Sequence, residues 1–65
     1  MNEKDYWEGF LGKYIYCSKQ LGKHVYKYRG IVKQVLEDKI ILSEEKMQED
    51  IPIVFEGLTV TGVGK

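Results

Sequence analysis

The longest strand-like run in this chain, HVYKYRGIVKQVL over residues 24–36, carries a glycine, Gly30, at its centre. A glycine inside a strand weakens it unless the backbone must bend there or another backbone must come close. Bending at such a point is how a small sheet curls toward a barrel. The rest of the sequence leaves few other ways to reach stability. A 65-residue chain buries only about 60% of the surface its unfolded form exposes. One cysteine, Cys17, makes no internal disulfide, and one histidine, His24, does not complete a zinc site with it. Association with other copies, or else an unusually tidy core, is left as the supplement, and association is the one expected.

The flanking segments agree with a mainly β domain spanning residues 1–65. Asn2 suits a helix N-cap, with Glu3 and Asp5 in the first turn where the helix dipole favours negative charge. Tyr6 with Phe10, and Trp7 with Leu11, are spaced four apart, so a short helix is expected over about 2–12, ending at Gly12. Gly9 inside it is unfavourable by about 1 kcal/mol relative to Ala. Five strands are expected over about 13–19, 24–36, 39–45, 51–56 and 58–63. Aromatic and β-branched residues fill them, and tight turns separate them. Pro52 lies near the start of the fourth, which suits an edge. In the second, Tyr26, Tyr28, Val32 and Leu36 share one parity and Val25, Ile31 and Val35 the other. This is expected where the inward face changes at a bend. The fold expected is a small, strongly bent five-stranded antiparallel barrel with a short N-terminal helix.

Composition matters mainly through its charge pattern. With 43% hydrophobic and 31% charged residues the chain reads as globular. No apolar run approaches a membrane span, and MNEKDYWEGF lacks the apolar centre of a signal peptide. A cytoplasmic protein with no membrane association is expected, in keeping with its lone cysteine. The net charge of zero hides a segregation: residues 13–33 carry +6 with no carboxylate, and residues 34–56 carry −5. Two readings follow. Adjacent strands neutralise each other, each pair contributing about 0.2 to 1 kcal/mol, or the basic segment is a surface for a polyanion.

One family resemblance comes from the second and later strands. Tyr28, Gly30, Val32 and Val35, then IIL at 40–42, follow the aromatic–x–Gly–x–aliphatic pattern of the first Sm motif, and IVFEGLTVTGV has the shape of the second. The chain resembles the Sm-like (LSm/Hfq-type) family of small barrels, related in shape to SH3-like barrels, over nearly its whole length. The resemblance implies assembly by strand-edge pairing and an RNA ligand. It departs from the family at the uridine pocket. LEDK at 36–39 has no Asn, and Glu56 precedes Gly57 where the family offers a cation. That pocket does not carry over.

Nucleic-acid binding has the residue types it needs. Tyrosines stack on bases at about 1 to 3 kcal/mol each while cations track phosphates. Tyr14, Tyr16, Tyr26 and Tyr28 interleave with Lys13, Lys19, Lys23, Lys27, Arg29 and Lys33. Tyr14, Tyr16, Lys27 and Arg29 are the expected contacts with RNA or single-stranded DNA. The same tyrosines also serve to fill a small core and its rim. Self-association into a homo-oligomer, or a protein partner without nucleic acid, is the alternative. Cys17 with His24 as nucleophile and base lacks a carboxylate to orient the histidine, and a strand cysteine is ordinarily a small buried hydrophobe. Glu37–Asp38 and Glu44–Glu45 read as solvated turns and strand ends. A non-enzymatic module without metal or cofactor is expected.

Overall fold

Residues 2–64 are described by a computed structural model. Its organising element is β2 (His24–Val35), a 12-residue strand. Around it lie α1 (Glu3–Glu8), β1 (Tyr14–Leu21), β3 (Lys39–Glu44), β4 (Glu49–Val54) and β5 (Leu58–Gly64). The strands make one antiparallel sheet in the order β4-β3-β2-β1-β5. Among the described residues no ladder joins β4 to β5, so the sheet is open and these two strands are its edges. Pro52 lies within β4, opposite Ile41, consistent with an edge strand.

β2 is shared between two partners along its length. Its first part pairs with β1, from His24 opposite Leu21 to Ile31 opposite Tyr14. Its second part pairs with β3, from Gly30 opposite Glu44 to Val35 opposite Ile40. The two ladders overlap only at Gly30 and Ile31. Here the absent side chain has a direct use: a Cβ on Gly30 would lie 1.9 Å from the Ser43 carbonyl oxygen and 3.1 Å from Glu44 Cα. Backbone, not a movable side chain, occupies that space.

The core forms on one face of the sheet. Ile15 and Cys17 of β1, Val32 of β2, Ile40 and Leu42 of β3, Ile53 of β4 and Leu58 of β5 are buried together with Trp7 and Phe55. The parity reversal in β2 falls at Lys33 and not at Gly30. Val32 faces Leu42 and Gln34 faces Ile41, so Lys33 is an extra, bulged residue, and Val35 packs against the core three positions after Val32. A bulge shifts the side-chain alternation by one residue without ending the strand.

The helix is shorter than the 2–12 expected. Asn2 caps it as anticipated, accepting the Asp5 N–H at 2.9 Å, but it ends at Gly9. Tight turns follow, and Gly12 donates its N–H to the Val32 carbonyl at 2.8 Å. Trp7 rather than the whole aromatic stripe is buried. It stacks on Phe55 with ring centroids 6.0 Å apart and planes 1° from parallel, while Tyr6 and Leu11 remain exposed. β1 runs to Leu21, past the expected end at 19, because a two-residue turn at Gly22 and Lys23 carries the hairpin, with Gly22 at φ 62°. β4 is displaced toward the N-terminus relative to 51–56. The preceding turn lacks a glycine, and Gln48 takes φ 56° instead. After β4, the chain is fastened to β1: the buried Lys19 ammonium donates to the carbonyls of Val54 and Glu56, and the Gln20 N–H to that of Gly57.

Replacing Gly30 by alanine therefore forces two backbones apart, with an expected cost of about 3 kcal/mol or more. Gly22→Ala, where nothing lies within 4 Å of the added carbon, bears only the backbone cost of about 1 to 2 kcal/mol. Urea unfolding of the two variants measures the difference.

Candidate nucleic-acid interface

Register on the β1–β2 hairpin decides which of the basic and aromatic side chains meet. Tyr16 is opposite Arg29 and Ser18 opposite Lys27, so Tyr14, Tyr16, Lys27 and Arg29 share the parity opposite to the core residues. A cleft of about 460 Å³ collects Tyr16, Lys27 and Arg29, together with Tyr28 and Cys17 of the same hairpin. Glu44 from β3, Lys46 from the β3–β4 turn and Thr61 of β5 complete its lining. Thr61 is the extra residue of a bulge, since Tyr16 faces Gly62 while Cys17 faces Val60. Bulges commonly re-aim a side chain in this way.

Tyr14 does not line the cleft. Its ring meets that of Tyr16 edge-on, with centroids 5.5 Å apart, and Tyr14 is only 9% exposed against 38% for Tyr16. Both rings lie across β5, where a Cβ on Gly64 would come within 2.7 Å of Tyr16 Cε2 and 3.1 Å of Tyr14 Cδ1. The small residues of β5 thus seat the tyrosines, Tyr14 as packing and Tyr16 at the rim.

The basic residues separate into different roles. Lys27 and Lys46 make no ion pair among the described residues, whereas Arg29 Nε lies 3.3 Å from Glu45 Oε2. Lys33 faces Asp50 at 4.0 Å. Lys19, at 5% exposure, is held by backbone carbonyls and is absent from any basic surface. Tyr26 is exposed beside His24, with ring centroids 6.2 Å apart, and does not line the cleft. Neutralisation of the charge pattern is thus partly realised, through the ion pairs of Arg29 and Lys33, Lys19 is buried, and a smaller cationic cleft is left.

Glu44 is the residue the sequence pattern misassigned. It is not a solvated strand end: it is 4% exposed and follows Ile40 and Leu42 on the inward parity of β3. Its Oε1 accepts the Met47 N–H at 2.7 Å and its Oε2 the Arg29 N–H at 3.3 Å. The available signal was parity, since Glu44 lies two and four residues after Leu42 and Ile40. Cys17 lies in the influence of this carboxylate. Burial, with the Glu44 charge adding to it, pushes the thiol up from 9.0 to about 11. Cys17 and His24 do not meet as a pair. Cys17 is buried opposite Tyr28, and His24 is exposed at the hairpin end opposite Leu21. Among the described residues no group of three or more His, Cys, Asp or Glu side chains is placed to hold a metal, and no helix is long and apolar enough to cross a membrane.

Compared with protein-family models, curated proteins and solved structures, the chain has no match in any of the three.

The raised thiol has a pH consequence. The neutral form is favoured by the fold, so this contribution is whole below pH 9.0 and is lost as pH rises through about 11. Denaturation between pH 8 and 11 should show a loss of stability that is smaller in Cys17→Ala. Iodoacetamide should label native Cys17 far more slowly at pH 8 than the unfolded chain, because the thiolate is the reactive form. Equal rates would contradict this.

Proposed function

We propose that this chain is a non-enzymatic binding module of the Sm-like small-barrel type, and that its cationic, tyrosine-bearing cleft holds single-stranded nucleic acid. The observation that carries the reading is that Tyr16, Lys27 and Arg29, which share the outward parity of the hairpin, line one cleft with Lys46. Rings and cations in alternation are what a single strand requires, since bases stack and phosphates pair. A duplex would offer its bases only by edge and groove. The ammonium groups of Lys27 and Lys46, which make no ion pair among the described residues, take phosphates directly, and Arg29 does so by exchanging Glu45 for a phosphate oxygen.

The one-helix, five-stranded antiparallel order supports the barrel reading, with the opening between β4 and β5 left for a neighbour to complete. Two free edges in one sheet favour a second reading, in which copies of the chain associate edge to edge. An uncovered edge otherwise invites uncontrolled pairing.

Binding of fluorescein-labelled uridine and adenosine octamers, followed against salt, tests the main reading. Three phosphate contacts on a single strand predict a log–log slope near −2, or about a 20-fold loss between 50 and 200 mM salt. Lys27→Ala and Lys46→Ala should each flatten the slope by about 0.7. No binding at 50 mM salt would remove nucleic acid as the ligand. Edge-to-edge association, read by sedimentation, would then be the function left.

A further inference from the structure

The cleft contains one group that a phosphate-binding surface does not need. Glu44 is almost wholly buried, yet no Lys or Arg among the described residues pairs with it. Its partners are two backbone N–H groups, one on each oxygen. An ionised carboxylate offers about four acceptor positions, so the turn it organises uses roughly half of them. The remaining capacity belongs to a residue that contributes to the lining of the cleft, as Tyr16 does. The electrostatic effect of this carboxylate on Cys17, another lining residue, is consistent with the same placement.

A fixed carboxylate accepts hydrogen bonds and cannot donate them. Among the bases, guanine alone presents two adjacent donors on its Watson–Crick edge, N1–H and the N2 amino group. Uracil presents N3–H between two carbonyl oxygens, which a carboxylate repels. Adenine and cytosine present one amino group beside an acceptor nitrogen. Single-stranded recognition works through these edges combined with stacking. We propose that the cleft prefers guanine, with Glu44 receiving the N1–H and N2–H donors while a tyrosine ring stacks on the base. This rests on the nucleic-acid reading of the same cleft and names the base it selects.

The test uses uridine octamers that carry one central guanosine, inosine or adenosine, with binding measured by anisotropy at 50 mM salt. A bidentate contact predicts at least about 5-fold tighter binding for guanosine than for the all-uridine octamer. Inosine, which keeps N1–H and lacks the amino group, falls between guanosine and adenosine. In Glu44→Gln, shown to be folded by its thermal transition, guanosine loses its advantage over adenosine while salt-dependent binding persists. If guanosine binds no better than adenosine to the natural chain, or keeps its advantage in folded Glu44→Gln, stacking accounts for the preference and the proposal is overturned. If the variant does not fold, the guanosine, inosine and adenosine series on the natural chain still decides. If no octamer binds at 50 mM salt, the reading of the cleft as a nucleic-acid site falls first. Binding without guanine preference overturns only the role of Glu44.

Discussion

The close approach of β2 and β3 at Gly30 is the contact on which the remaining geometry depends. At that point β2 is paired on both sides, with Ile15 of β1 and Glu44 of β3. The space a Cβ would take is filled by the Ser43 carbonyl at 1.9 Å. Without this approach the two ladders would not share a residue, and β3 would not lie where its last inward position faces the hairpin. That position is Glu44, whose carboxylate then reaches the Arg29 N–H on one side and the Met47 N–H on the other. One missing methyl group therefore sets both the sheet topology and the floor of the cleft.

Two bulges divide the labour between the faces. Lys33 shifts the alternation in β2 so that Val32 and Val35 both contribute to the core, and Lys33 itself is left to meet Asp50. Thr61 does the same in β5, after which Gly62 and Gly64 lie beneath the tyrosine rings. The inner face is left mainly to apolar packing, the rim to Tyr16 with Lys27, Arg29 and Lys46. In a chain so small, each buried apolar side chain contributes about 1.5 to 3 kcal/mol and the core has few of them. Few positions are left for charged groups inside. Lys19 and Glu44 are tolerated there because backbone carbonyls and amides satisfy them.

Much of the architecture was legible because it depends on local pattern. Alternation marked the strands and Asn2 marked the helix start, while Gly30, expected as the bend where the inward face changes, is instead a close approach of two backbones, the change of face falling at Lys33. The helix end was misread because Gly9, treated as a tolerated interior residue, is its C-cap, while Gly12 belongs to the entry into β1. Lys19 and Glu44 were read as surface charges on residue type alone. Their burial follows from parity combined with the pairing of distant strands, which no single segment states. Tyr14 and Tyr16 looked equivalent two residues apart. Only the placement of β5 beside β1 separates a packed ring from one at the rim. Closure of the sheet is likewise a relation between β4 and β5 that neither segment encodes alone, and the described ladders leave it open.

The cleft is consequently a by-product of how the sheet is held together, with cations at its rim and an acceptor at its floor. The most direct check is a nuclear Overhauser spectrum of the isolated chain, read at the backbone protons of Gly30. Cross-strand contacts from Gly30 to both Ile15 and Glu44 in one spectrum are the predicted result. Contacts to only one of these neighbours, or to neither, would contradict the shared pairing from which the fold and the cleft both follow.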